Sequence, residues 1–521
     1  MMKRTIDYHK KKFIIIEDHA EFRSSLKQMM KLFGANNVET ATSGDQGISK
    51  IIAGNFDIVL CDYELGKGKD GQQVLEETRH SGLLKASSIF VLITAATTVE
   101  MVMGALEYEP DGYITKPITH ENLKSRLDRI VRDKQAFQEI DKAIDSRKPD
   151  LAVEACDKII AVESKFQIKA YRFKSKLLLK LERYQEAEQL FNDVLEIRYI
   201  PWAKLGVGKC AFYDNRHDEA KAIFEELAKE DKRNVEAHDW LAKVYASEQK
   251  FELAQKSLLQ AVKQSPKSVL RQNELGRVSA ITEDWEAGEK AYRKAVSLGK
   301  DSCFKSSGNY TGLTKALQNK IKNFKGRPGR DACTEAIRTL EALEKDYGNQ
   351  KDIALHSTIL RGETSANQDK QKEAERYIKK SLKIIEEYGE DLPNHLGIAM
   401  AECLEANHQD KEAEEYRKKY DSSLINFDTL NAEGVKYFKA GKFRDAVATF
   451  RKATQDPNPS ISAILNATQA CIKLLETEGP NKLLVKDCTF YFKKLEDIAA
   501  NDSNFARYKK LHTLYKKYEL K

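Results

Sequence analysis

Apolar residues run almost unbroken at 13–16, 58–61 and 89–93, with weaker stretches at 37–42 and 112–115. Runs of this length and type read as strands buried on both faces of a sheet. Helical spacing of apolar positions fills the gaps, at about 20–33, 45–53, 71–81, 98–108 and 120–131. Five strands alternating with five helices predict a doubly wound α/β domain over residues 1–135. Beyond it the pattern is helical throughout. Leu123, Leu127, Ile130, Phe137, Ile140 and Ile144 keep helical spacing, so a linker helix is expected over 136–150, stopped at Lys148-Pro149-Asp150. A continuous helix would couple the flanking domains mechanically, and one broken near Arg132-Asp133-Lys134 would act as a loose tether; the spacing fits both.

A repeat follows. Ala187, Ala220, Ala254 and Gly288 are spaced 33, 34 and 34 residues apart. Four residues after each stands a bulky side chain (Phe191, Phe224, Leu258, Tyr292), and twelve before each a small one (Ser175, Gly208, Ala242, Gly276). Such steps share a helix face, and small residues let two helices approach closely. Each unit is then a helix pair that buries its face only against its neighbours. The period, with Pro266 after the second helix, resembles the tetratricopeptide repeat. Further units fit Ala152, Ala374, Ala413 and Ala446, the last followed by Pro457, which predicts an all-α solenoid over 151–460. The stretch 300–350 fits poorly, with a loop expected at 325–330. Residues 461–521 read as three more helices forming a cap.

Composition narrows the setting. Of 521 residues 32% are charged, and mean hydropathy is −0.58. No apolar run approaches the roughly 20 residues that span a bilayer, and the first residues lack a signal-like apolar segment, so a cytoplasmic protein without membrane contact is expected. Eight scattered cysteines form no Cys-x-x-Cys pair, which argues against a zinc or disulfide framework. Residues 1–135 carry 19 basic and 19 acidic side chains, so the whole net charge of +7 lies behind the first domain. Spread that thinly, it falls short of a DNA-binding footprint.

The chemistry gathers where the apolar runs stop. Glu17 and Asp18 follow the first run, Asp62 the third strand, Thr94 the fourth, and Lys116-Pro117 the fifth. In an open parallel sheet those are carboxyl ends of strands, where ligands bind. Carboxylates from neighbouring strands can share a hard cation through oxygen ligands, and Lys116 can pair with a phosphate oxygen. Asp62 can then attack phosphorus as a carboxylate nucleophile. The product adds about −1.5 to −2 charge and three acceptor oxygens. Thr94 can turn its hydroxyl toward them, and Tyr113 can rotate into the space Thr94 vacates.

In these residues the chain resembles the receiver domain of bacterial two-component response regulators over about 10–135, with the doubly wound, flavodoxin-like fold. The resemblance implies Asp62 as phosphoacceptor, with Mg²⁺ held by Asp18, Asp62, the Glu64 main-chain carbonyl and, through water, Glu17. It implies Thr94 and Tyr113 as a switch pair, Lys116 as phosphate partner, and a cis peptide at Lys116-Pro117. Glu64 and Ala96 fall where the family tunes phosphate lifetime. The sequence departs from the family at Gly66-Lys67-Gly68-Lys69-Asp70-Gly71, a longer and more basic loop.

For output, the repeat resemblance points the residue after each small first-helix position into a concave groove. Those residues are Lys176, Lys209, Lys243 and Arg277, a basic row expected to receive an acidic segment of a protein partner, with Asn273, Trp202 and Phe212 beside it. The expected function is a phosphorelay response regulator fed by a sensor histidine kinase or phosphotransfer protein and acting through protein binding. A homodimer through the receiver is a further expectation. Only Mg²⁺-dependent self-phosphorylation and autodephosphorylation at Asp62 is expected as catalysis. A nucleic-acid-binding transcriptional regulator ranks second, and a phosphatase acting on a relay partner third.

Overall fold

The computed structural model describes residues 6–95, 109–162, 164–324, 326–420, 427–454, 461–479, 481–495 and 505–519. The expected helix at 98–108, Ala96 and Pro457 lie outside them. Five parallel strands, β1 (Lys12–Ile16), β2 (Asn37–Ala41), β3 (Ile58–Asp62), β4 (Ile89–Thr94) and β5 (Gly112–Thr115), form one sheet in the order β2-β1-β3-β4-β5. The period-two alternation of strand side chains divides each apolar run between two layers. Phe13, Ile15, Leu60 and Val91 pack against helices Ala20–Leu32 and His120–Ala136. Ile14, Ile16, Val59 and Leu92 pack against helices Gly44–Ala53 and Gly71–His80. Strand order reverses between β1 and β3, so their carboxyl ends frame the binding crevice.

Helical hairpins follow. The helix leaving the sheet is interrupted at Phe137 and resumes as Gln138–Asp145, which turns back onto Pro149–Ile160. The segment expected as a linker is therefore the first arm of a hairpin. Five more hairpins follow, from Gln167–Lys180 with Tyr184–Ile197 to Ser307–Asn323 with Arg327–Tyr347. The loop expected at 325–330 is shorter, because the last helix begins at Arg327 with Pro328 in its first turn, where its missing N–H costs nothing. The chain divides into two compact units, Met1–Asp346 and Tyr347–Lys521. The second unit contains three hairpins between Lys351 and Ala453, then helices Ile461–Glu478, Lys482–Lys494 and Phe505–Glu519 around Leu465, Phe492 and Tyr515.

Two local rules recur among the hairpins. Arg147, Glu182, Asn215, Gln249, Asp369, His408 and Gly441 all have left-handed φ of 56–73°. After each, the next N–H reaches back to a carbonyl five residues earlier, as Arg183 to Leu178 at 2.9 Å and Lys250 to Tyr245 at 2.8 Å. This is the Schellman ending, which satisfies carbonyls left open at a helix terminus. Second, the glycines of first helices receive a ring from sixteen residues on, at Gly208, Gly276 and Gly434. A Cβ on Gly208 would lie 2.6 Å from the Phe224 ring, and one on Gly276 2.8 Å from the Tyr292 ring.

Gly276→Ala should therefore destabilise the protein by about 1–3 kcal/mol through overpacking. Gly288→Ala meets nothing nearer than 3.5 Å and should stabilise it by about 0.5–1 kcal/mol. Urea unfolding of both variants checks the pair, and equal effects would contradict the packing rule.

At the Phe137 junction Asp141 is buried, 3.4 Å from Lys134, which also faces Asp111 at 3.5 Å. Burial pushes the Asp141 carboxyl up to about 6, with Lys134 pulling it partly back. The fold thus favours the protonated form, a contribution fully present below about pH 4 and lost as pH rises through 6. Asp141→Asn should stabilise by about 1–3 kcal/mol at pH 7.5, a gain that shrinks as pH falls through 6 and is gone below about pH 4; thermal melts across that range measure it.

Candidate functional site

Register sets the site. Cys61 pairs with Ile16, so the residues that follow, Asp62 and Glu17, stand side by side at the carboxyl edge. Lys116 reaches them from the end of β5: its ammonium lies 2.9 Å from Asp62 Oδ2 and 3.2 Å from Glu17 Oε2. Both carboxylates are buried, Glu17 at 1% exposure and Asp62 at 6%. Burial raises the Glu17 carboxyl above its ordinary range and Asp62 repulsion adds to it, against hydrogen bonds from the His19 N–H and Lys116. Burial pulls Lys116 down, but the hydrogen bonds and charges of Asp62 and Glu17 outweigh it and hold the ammonium protonated. Arg23 fixes the turn after β1 by donating to the Glu17 and Asp18 carbonyls at 2.7 and 3.2 Å.

Glu17, Asp18 and His19 each present a ligand atom, all within 4.8 Å of one another. Gly66, at φ +61°, passes so close that a Cβ there would lie 3.0 Å from Asp18 Oδ2. Three carboxylates against one ammonium leave the nest with surplus negative charge, a donor set that fits a hard divalent cation. Glu64 lies in the exposed loop beyond Asp62. Thr94 is buried at the end of β4, and its carbonyl accepts from the Lys116 N–H at 2.8 Å. The Tyr113 ring packs into the sheet's core layer, and its buried hydroxyl has no hydrogen-bond partner among the described residues. The Lys116-Pro117 peptide is cis. Six of the seven expected residues of the first domain thus stand at the carboxyl edge of the sheet, and Tyr113 lies within β5, two residues before its last.

The loop after Asp62 reaches the repeats. Asp70 caps helix Gly71–His80: its carboxylate accepts from the Gln73 N–H at 2.8 Å while Gln73 Oε1 accepts from the Asp70 N–H at 3.0 Å, a capping box. The helix start presses on the end of β3, since a Cβ on Gly71 would lie 2.0 Å from the Asp62 carbonyl oxygen. From the same helix Gln73 donates to the Leu298 carbonyl at 3.1 Å, and Glu76 accepts from the Ser302 hydroxyl at 2.8 Å. Lys69 donates to the Asp301 carbonyl at 2.9 Å, and His80 meets Phe304 edge-on at 4.8 Å. Lys267 lies 5.2 Å over the Tyr63 ring, 3.5 Å from its hydroxyl, and its charge pulls against the burial that raises Asp70. These partners were missed by sequence reasoning; the basic, glycine-rich loop was the available signal.

The expected basic row is not a line of open charges. Lys176 and Arg172 both meet Glu109, Lys209 meets Glu236, and Arg277 meets Glu274 at 2.6 Å. Lys243 lies over Trp240 at 4.1 Å. Phe212 packs half-buried against Trp240 and His217, Asn273 donates to Asn309, and Trp202 stands edge-on to Phe191.

A charged nest on a doubly wound sheet, joined to stacked helical hairpins, defines a receiver with a repeat domain, and comparison with known proteins agrees. Residues 13–128 match the response regulator receiver domain and 208–268 the tetratricopeptide repeat. The chemotaxis protein CheY-3 of Vibrio cholerae is 31% identical over 119 residues, 23% of this chain and 90% of that protein. The chemotaxis protein CheY of Pseudomonas aeruginosa is 26% identical over 119 residues, 23% of this chain and 94% of that one. A CheY-like receiver structure from Methanospirillum hungatei shares 23% identity, covering 24% of this chain and 96% of its own, with a TM-score of 0.22. The chain belongs to the response regulators, with a receiver domain followed by tetratricopeptide repeats. Among the described residues no helix is long and apolar enough to cross a membrane.

Lys116→Met leaves Glu17 and Asp62 without their ammonium, and should cost about 2–4 kcal/mol at pH 7.5. The loss should shrink as pH falls through the raised Glu17 titration, and on adding Mg²⁺. Thermal melts with and without Mg²⁺ at pH 5 and 7.5 check this; a loss independent of both would contradict it.

Proposed function

We propose that this protein accepts a phosphoryl group on Asp62 from a histidine kinase or phosphotransfer protein and acts through protein binding by its repeats. The observation that carries the reading is the shared ammonium: Lys116 lies between Asp62 and Glu17, 2.9 and 3.2 Å away. Only a nest holding surplus negative charge needs that arrangement, and it leaves Lys116 free to exchange a carboxylate oxygen for a phosphoryl one.

An Asp62 oxygen attacks phosphorus, the bond to the donor breaks, and the electron pair leaves with the donor, giving an acyl phosphate. Mg²⁺ held by Asp18, Asp62, the Glu64 carbonyl and, through water, Glu17 would supply positive charge against the phosphoryl oxygens. Lys116 pairs with one of these oxygens and the Thr94 hydroxyl donates to another. Turning Thr94 makes room for Tyr113, whose hydroxyl lacks a described partner. We assign no chemistry beyond this self-phosphorylation and its hydrolysis.

Tyr63 and the helix Gly71–His80, both next to Asp62, touch the repeats directly, which supports an output through the solenoid. Pairing of the groove cations with nearby carboxylates and rings favours a protein partner over a nucleic acid. Acetyl phosphate with Mg²⁺ should load one phosphoryl group on the wild type and none on Asp62→Ala, read by intact mass and peptide mapping. An unmodified Asp62 after prolonged incubation would overturn the reading.

A further inference from the structure

The first groove cations are neutralised differently from the rest. Lys209 and Arg277 pair with glutamates of the repeats themselves, whereas Arg172 and Lys176 are bridged by Glu109 of the receiver. Arg172 and Lys176 lie four residues apart on helix Gln167–Lys180, where two like charges repel unless an anion joins them. The bridging residue comes from across the fold, in a left-handed conformation (φ +46°) that a side chain of this kind adopts only at a cost.

Two clefts meet at this point. One of about 660 Å³ opens toward Lys209 and Asn234, the other of about 800 Å³ toward Ile168 and Phe173. Glu109, Arg172, Lys176 and Trp202 line both, so the bridged carboxylate stands at a waist with room for chain on either side. The Arg172 guanidinium lies 6.0 Å over the Trp202 ring, giving an acidic ligand both cationic and aromatic contacts. Glu109 itself remains about half exposed.

We propose that Arg172, Lys176 and Trp202 form a carboxylate-recognition site for an acidic peptide segment bearing an aromatic residue, with Glu109 as its built-in competitor. A partner binds by displacing the receiver's glutamate from the two cations. Glu109 lies three residues before β5, the strand that carries Tyr113 and leads into Lys116, so plug and phosphoryl nest share one short segment. The proposal rests on the reading of the repeats as the protein-binding output and names the chemistry of that output's ligand.

The test titrates the full-length protein with a fluorescein-labelled peptide of Glu and Asp residues around one Phe, followed by anisotropy without Mg²⁺ or phosphoryl donor. Wild type should bind, and Glu109→Gln should bind about fivefold tighter because the cis occupant no longer removes part of the competent population. The double variant Arg172→Glu, Lys176→Glu should lose binding while keeping the wild-type circular dichroism and melting temperature. The Arg172→Glu, Lys176→Glu variant should still take one phosphoryl group on Asp62 from acetyl phosphate and Mg²⁺, read by intact mass, which separates this site from the phosphoryl switch: either can fail alone. Unchanged affinity in Glu109→Gln, retained binding in the folded charge-reversal variant, or no binding by any form would overturn the proposal.

Discussion

One ammonium shared by two buried carboxylates sets the terms for the receiver. Glu17 and Asp62 stand side by side because Ile16 and Cys61 pair across parallel strands, a register imposed by the apolar runs behind them. Removing water from two like charges is unfavourable, and Lys116 makes the arrangement tolerable without satisfying it. The nest retains a demand for positive charge at Asp62, the carboxylate proposed as nucleophile. Binding and chemistry therefore draw on the same unmet interaction.

The second constraint is how closely Asp62 is wired to what lies outside the sheet. Gly71 brings a helix terminus onto the Asp62 carbonyl, and that helix spends its outer face on Leu298, Ser302 and Phe304. Tyr63 meets Lys267 on the same side. A rearrangement of the loop after Asp62 cannot leave these contacts untouched. By reciprocity, a partner of the repeats that altered this surface would also alter the chemistry proposed at Asp62.

Much of this was legible in the sequence because its causes are local. Strand ends are marked by the step from apolar to polar at Glu17, Asp62 and Thr94, and the repeat by small and bulky residues at fixed intervals. The Phe224 ring on Gly208 and the Tyr292 ring on Gly276 are those intervals realised in space. The hairpin turns were harder to see, since Glu182, Asn215 and Gln249 take a backbone conformation that usually announces itself with glycine. Helix Gln138–Asp145 was read as a linker because its pattern continues the preceding helix, and only its packing on Pro149–Ile160 makes it a hairpin arm. The pairings of Lys267 with Tyr63, Ser302 with Glu76, and Glu109 with Lys176 join residues 67 to 226 positions apart. No periodicity encodes such contacts, so the sequence shows the basic row but not the carboxylates that pair with most of it.

The central claim is that the state of Asp62 is felt by the repeats through the loop and helix that follow it. Hydrogen exchange of the full-length protein, with and without a beryllofluoride adduct on Asp62, tests it most directly. The account predicts altered exchange at backbone amides of 298–304 and around Lys267 in the wild type, and none in Asp62→Ala. Identical exchange there in a wild type shown to carry the adduct would mean that the receiver and the repeats are uncoupled.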